Sequence, residues 1–284
     1  LDDANQATIT KYNGNSYYVN IPDEIDGYTV VAIGSSAFIN KDVVNVVIPE
    51  TVTEIGSSAF NNCIELFEIS LSPNLISIGS WAFFNCDSLE EVILPVGLET
   101  LYGGAFFDCD SIKKIFIPKS LQNVYTDTNF SVNYRNNGAF DLCSGIQEIE
   151  FEEGIVQIPA NLLYGCDSSL EISIPDTVTN IGDNAFYKCI NLTNVVLSSN
   201  LKSIGGWAFY NCNSIEEVLL PKGIETICGG AFFNCDSIKK IYIPKSLKNV
   251  YTGTDFFVNY RNNGAFDMCS GIENVEFEER ASYE

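Results

Sequence analysis

Residues 89–111 read LEEVILPVGLETLYGGAFFDCDS, and near copies of this segment recur along almost the whole chain. The pair Ala-Phe marks nine copies, and Leu162-Leu163 takes one missing place; the Ala-Phe pairs stand at 37–38, 59–60, 82–83, 105–106, 139–140, 185–186, 208–209, 231–232 and 265–266. Successive copies are 22 or 23 residues apart, except for two steps of 34. A fixed period of this length predicts a repeat protein whose units bury their apolar faces against one another.

Each unit opens with an alternating segment such as LEEVIL (89–94) or IKKIFI (112–117), which predicts a short half-buried strand. In most units a proline follows, and its missing N–H group ends the strand ladder. We therefore predict a β-rich solenoid of about ten repeats over residues 31–284, with residues 1–30 as an N-terminal cap. The strands form one parallel sheet along one face, and the other face holds short turns or 3-10 segments.

Two repeat positions predict internal columns. The phenylalanines of the Ala-Phe pairs should stack as a spine, and nine cysteines recur three residues after them, at Cys63, Cys86, Cys109, Cys143, Cys166, Cys189, Cys212, Cys235 and Cys269. A straight row of thiols cannot surround a zinc ion, and parallel side chains do not give the disulfide torsion. We expect buried free thiols, with Cys228 outside the row as the cysteine to test for reactivity.

The repeat resembles that of the BspA-like leucine-rich repeat family, as in VTEIGSSAFNNCIELFEISL (52–71) and YVNIPDEIDGYTVVAIGSSAF (18–38). The resemblance covers roughly residues 18–279. It implies an α/β-type leucine-rich repeat solenoid with a right-handed superhelix, in a secreted or cell-surface protein of a bacterium or protist linked to adhesion. It supplies no catalytic residues. The chain departs from the pattern at the turn glycine, which Tyr102, Asn136, Pro159, Cys228 and Asn262 replace.

Composition excludes several classes of function. The chain has 284 residues, a formal charge of -22 and no histidine. The charge disfavours nucleic acid and anionic membranes, and the missing histidine removes the commonest general base and metal ligand. No apolar run is long enough to span a membrane, and LDDANQATIT (1–10) lacks the regions of a secretory signal. We expect a monomer without cofactor or metal, outside the cell or on its surface.

A block of repeats is duplicated. Residues 78–153 recur at 204–279, with 57 of 76 positions identical, and each block holds one long repeat with 11 extra residues. The insertions should project, and aromatic side chains with an arginine are typical of recognition loops. Alternatively, the aromatic residues fold back over the solenoid. The candidate contact residues are Tyr125, Phe130, Tyr134, Arg135, Tyr251, Phe256, Phe257, Tyr260 and Arg261. The acidic residue shifts from Asp127 to Asp255, which argues against calcium.

The outward side of the strands is the second candidate surface. Alternation places Lys114 with Phe116, and Lys240 with Tyr242, on an otherwise acidic or small face. Repeat proteins often bind through such a face. The alternative is that these are solvated strand residues with incidental β-formers.

Two functions follow from these surfaces. The first is a non-catalytic adhesion or recognition scaffold for a protein or glycan of a host or microbial surface. The second is a passive spacer or surface-layer element without a specific ligand. Catalysis is disfavoured because carboxylates such as Glu90-Glu91 recur with the repeat instead of converging on one site.

Overall fold

Two units make up the computed structural model, Leu1–Glu152 and Glu153–Glu284, and the residues that it describes are 5–126, 138–250 and 264–278. Each unit is a parallel-strand β-solenoid with five Ala-Phe-type coils, counting Leu162-Leu163 as one. The predicted β-solenoid fold with about ten repeats is therefore confirmed, with five repeats in each unit. The part of the chain that the structure describes contains no helix, and hence none that is long and apolar enough to cross a membrane.

The first unit has two parallel ladders. The outward ladder, here called the strand face, contains β2 (Tyr18–Asn20), β5 (Asn45–Val47), β7 (Glu68–Ser70), β9 (Glu91–Ile93), β11 (Lys114–Ile117) and β13 (Glu148–Phe151). The second contains β1 (Gln6–Ile9), β4 (Tyr28–Ile33), β6 (Glu54–Ile55), β8 (Ser77–Ile78), β10 (Thr100–Leu101) and β12 (Asn123–Val124). A short strand, β3 (Glu24–Ile25), pairs antiparallel with β4.

The second unit repeats this plan. Its strand face contains β15 (Leu170–Ser173), β17 (Leu192–Val196), β19 (Glu217–Leu219), β21 (Lys240–Ile243) and β23 (Asn274–Phe277). Its second ladder contains β14 (Gln157–Ile158), β16 (Asn180–Ile181), β18 (Ser203–Ile204), β20 (Thr226–Ile227) and β22 (Asn249–Val250). Neighbouring strands pair one coil apart, as Val218 does with Ile241.

The strand face is not one unbroken sheet. In the first unit it forms the sheets β2-β5-β7 and β9-β11-β13, and in the second unit the sheets β15-β17 and β19-β21-β23. Most of these strands supply only three or four residues to the ladder, so the loss of one or two hydrogen bonds interrupts the pairing.

The α/β description and the 3-10 segments are not confirmed. In their place most coils have a two-residue strand of the second ladder and a turn with two left-handed residues, such as Ser58 (φ 56°) and Asn62 (φ 59°). These residues interrupt any run of helical hydrogen bonds. Asparagine tolerates this conformation, and its amide also joins coils, since Asn62 donates to Asn40 at 2.8 Å.

The predicted phenylalanine spine is confirmed. In the first unit the rings of Phe38, Phe60, Phe83, Phe106 and Phe140 are buried, with successive centroids 4.8–5.2 Å apart. Tyr12 stacks on Phe38 at 4.9 Å and so extends the spine. In the second unit Phe186, Phe209, Phe232 and Phe266 stack at 4.9–5.0 Å, and the buried Leu163 takes the position one coil earlier.

At Gly56 and Gly79 the turn glycine is required for space. At Gly79 an added Cβ would lie 2.6 Å from the backbone nitrogen of Ser57 in the preceding coil. The φ angles at Gly34, Gly56 and Gly79 are not positive, so close approach selects glycine there.

Candidate functional site

The strand face of the first unit carries a mixed apolar and charged surface. Strand alternation turns Val92 and Ile115 inward, where both are buried, and turns Ile93 and Phe116 outward. Ile93 is 59% exposed, and Phe116 lies opposite it in the parallel ladder. The other outward residues are Glu91, Lys114, Glu148 and Glu150, and the six residues together are here called the first patch.

The cation of the first patch is paired. Lys114 Nζ lies 2.9 Å from a carboxylate oxygen of Glu150 and 3.5 Å from one of Glu148. Hydrogen bonding to Glu150, together with the charge of Glu148, raises the pKa of Lys114. Lys114 and Phe116 are thus neighbours, as the alternation predicts, but the ammonium group is held by two carboxylates of the next coil.

The second unit has an equivalent surface, here called the second patch. It consists of Glu217, Leu219, Lys240, Tyr242, Asn274 and Glu276. Leu219 is 54% exposed and lies opposite Tyr242. Lys240 Nζ is 3.1 Å from a carboxylate oxygen of Glu217 and 3.6 Å from one of Glu276. Hydrogen bonding to Glu217 is the main cause that raises the pKa of Lys240.

One residue of the predicted loop surface lies in the described chain. Tyr125 is 50% exposed, and its ring stacks on that of Tyr102 at 5.3 Å. The other loop candidates lie outside the described residues: Phe130, Tyr134, Arg135, Tyr251, Phe256, Phe257, Tyr260 and Arg261.

A second group of aromatic side chains was not anticipated. In the second unit the half-buried rings of Tyr164, Tyr187 and Tyr210 stack at 4.5 Å, and Phe233 follows Tyr210 at 5.7 Å. Burial, followed by the neighbouring Tyr210, raises the pKa of Tyr187 to about 12. The sequence signal was an aromatic residue directly after the Ala-Phe position in successive repeats.

The thiol row is structural. Along the row, Sγ atoms donate to the carbonyl of the spine residue one coil earlier, as Cys63 does to Phe38 at 3.0 Å and Cys109 to Phe83 at 2.9 Å. The cysteines are free, and those of the row are buried except Cys269, which is half-buried. Burial raises the pKa of Cys63 to about 11 and also raises that of the half-buried Cys228. The prediction of buried free thiols is confirmed for the row up to Cys235.

Acidic side chains recur along the described coils, and some of them pair with lysines of the next coil. Within residues 5–126, 138–250 and 264–278, no group of three or more acidic or cysteine side chains could hold a metal ion. Glu90 and Glu216 of the recurring Glu-Glu pairs form ion pairs with Lys113 and Lys239 at 2.6 Å and 3.0 Å.

Comparison with known proteins agrees with this architecture. A leucine-rich repeat protein of T. pallidum is 26% identical, with a TM-score of 0.55 over 76% of this chain and 85% of that chain. One from Eubacterium ventriosum ATCC 27560 is 19% identical, with a TM-score of 0.51 over 97% of this chain and 73% of that chain, which supports the fold alone. A leucine rich cell surface protein of Faecalibacterium prausnitzii A2-165 is 25% identical, with a TM-score of 0.42 over 99% and 93%.

Among proteins with curated descriptions, none matches this chain. The family model described as BspA type leucine rich repeat region matches six copies, in residues 31–133 and 133–262. These residues include most of the spine, of the thiol row and of both patches, and they cover well over half of the sequence. The chain therefore belongs to the BspA-type leucine-rich repeat family.

Proposed function

We propose that this chain is a non-catalytic binding scaffold, secreted or displayed on a cell surface, that recognises a protein partner through its strand face. The observation that carries the proposal is a pair of outward apolar residues on adjacent strands in each unit, the exposed Ile93 opposite the half-buried Phe116 and the exposed Leu219 opposite the half-buried Tyr242. Apolar residues fixed on a rigid sheet are a usual feature of protein-binding surfaces on repeat proteins. Membership of the BspA-type family supports a scaffold role and a surface location.

The test is a binding screen on the purified chain. Matrix proteins, glycans and whole microbial or host cells are immobilised, and saturable binding is measured at physiological salt. We expect binding to at least one protein surface, which Ile93→Ser with Leu219→Ser weakens. Variants of the inserted loops, Tyr134→Ala with Arg135→Ala, form the second arm, because these loops are the other predicted contact surface. A chain that binds nothing in the screen contradicts the proposal.

A passive spacer is the second candidate, and the ion pairs between coils favour it. Lys113 with Glu90 and Lys248 with Glu225 each join residues 23 positions apart, so they link adjacent coils. Such exposed pairs contribute about 0–1 kcal/mol each, yet they also hold the surface in a fixed arrangement. Saturable binding that depends on the patches would exclude a purely passive role.

A further inference from the structure

We infer that each patch is a docking site for a basic protein segment with an apolar side chain between lysines or arginines, so that the chain offers two such sites. This inference rests on the proposed binding function and adds the chemistry of the partner and the number of sites. The two patches lie in different units, and the 126-residue offset of the duplicated block relates their positions.

The apolar part of each patch is wide enough for one or two side chains. Ile93 and Phe116 belong to adjacent paired strands, which lie about 4.8 Å apart. In the second unit Val196 is also exposed, and it occupies the repeat position of Leu219 one coil earlier. Leu219 and Tyr242 lie on paired strands about 4.8 Å apart, and Val196 extends this apolar row by one coil.

The charged part favours a cationic partner. The first patch holds three carboxylates and one ammonium group, and the second holds two and one, so the formal charges are -2 and -1. Each lysine is already paired with two carboxylates, so it offers no free cation to an acidic ligand. The same pairing reduces the repulsion between the lysine and a basic segment. The chain as a whole attracts a basic segment through its formal charge of -22.

The two sites differ in their dependence on charge. Glu91 in the first patch pairs with no cation among the residues that the structure describes, whereas its counterpart Glu217 binds Lys240. Asn274 of the second patch also replaces Glu148 of the first. The first patch therefore has more carboxylate available to a basic partner, and its affinity should fall more steeply with salt.

The probe is a fluorescein-labelled twelve-residue peptide, three repeats of Lys-Leu-Lys-Gly, measured by anisotropy and by calorimetry with the full chain. Two control peptides replace all lysines with glutamate or all leucines with serine. We expect two sites per chain for the first peptide and at least about tenfold weaker binding for each control. Increasing sodium chloride from 50 to 300 mM should weaken binding several-fold.

Variants assign the sites. Phe116→Ser should remove the first site and Tyr242→Ser the second, which changes the stoichiometry from two to one in each case. Ile93→Ser is a second variant at the first patch, chosen because the exposed Ile93 can change without disturbing the core. Val47→Ser is the matched control, since Val47 is an exposed strand-face residue of a coil outside both patches and should leave binding unchanged.

Three results would overturn the inference: no binding of the first peptide, equal binding of the serine control, or full stoichiometry in Phe116→Ser and Ile93→Ser. The screen against immobilised proteins tests the proposed binding function separately from this inference about the partner. A chain that binds one of them with unchanged affinity in the patch variants keeps the scaffold function and loses this partner assignment. A chain that binds neither peptides nor immobilised surfaces loses both.

Discussion

Replacing Phe83 with alanine should remove more stability than any exposed aromatic substitution, because its ring is held on both sides by the spine. The ring is fully buried and stacks on Phe60 at 5.2 Å and on Phe106 at 4.9 Å. The backbone contacts of residue 83 do not need the ring: its N–H donates to the Ala105 carbonyl, and its own carbonyl accepts from Cys109. The substitution therefore tests the ring alone.

The expected loss is about 3–5 kcal/mol in the free energy of unfolding, which is typical of a buried phenylalanine. It includes about 0.5–1.5 kcal/mol for each of the two ring pairs. With a urea slope of about 3 kcal/mol per molar, the unfolding midpoint should fall by about 1–1.7 M. Circular dichroism of the purified variants at pH 7 gives this midpoint directly.

Two variants complete the comparison. Phe209→Ala changes the spine residue at the same place of the duplicated block, between Phe186 and Phe232, and should lose a similar amount. Phe67→Ala removes a ring that is 52% exposed and should change stability by about 0.5 kcal/mol or less. A loss at Phe83 below about 1.5 kcal/mol, or one no larger than that at Phe67, would refute the stacking argument.

Three further predictions concern the reactivity of the cysteine thiols, the pH dependence of stability and the space around a turn glycine. At pH 8 in native buffer, mass spectrometry after iodoacetamide treatment should show Cys228 labelled before the buried cysteines from Cys63 to Cys235, and all cysteines labelled only in denaturant. Hydrogen bonds from Lys119 lower the pKa of Glu152 in the folded chain. The ionised Glu152 carboxylate therefore stabilises the fold fully above the ordinary carboxyl pKa of about 4.3, and this stabilisation is lost as the pH falls through the lower pKa of the folded state. The difference in urea midpoint between the native chain and Glu152→Gln should be present at pH 7 and vanish in strong acid. Gly79→Ala should cost about 1–3 kcal/mol in urea unfolding because its Cβ would strike the preceding coil, whereas Gly97→Ala, with 3.7 Å to its nearest neighbour, should cost little.

The inward residues could be predicted from the sequence because each repeats the same environment. Phe83, Cys86 and Ile78 are each one copy of a position that recurs with the period, and most copies of these positions are buried. The outward Phe116 was also predictable, since alternation within a strand fixes its side.

Other features could not be predicted, because they depend on which neighbour a side chain selects. Lys114 has carboxylates on both flanking coils, and it binds those of Glu148 and Glu150. Lys240 instead binds one carboxylate on each side, Glu217 and Glu276. The second ladder was missed because two-residue strands carry too little alternation to be recognised.

The two tryptophans show that neighbouring coils are not interchangeable. Trp81 and Trp207 stand just before the Ala of their repeats, and Gly104 and Gly230 hold the same position one coil later. A Cβ on Gly104 would lie 3.0 Å from the Trp81 ring, and one on Gly230 would lie 2.7 Å from the Trp207 ring. A copy of the tryptophan coil alone would place a side chain where the ring now lies. Because the fit belongs to a pair of coils, duplication of a whole block preserves it, whereas duplication of one repeat would break it.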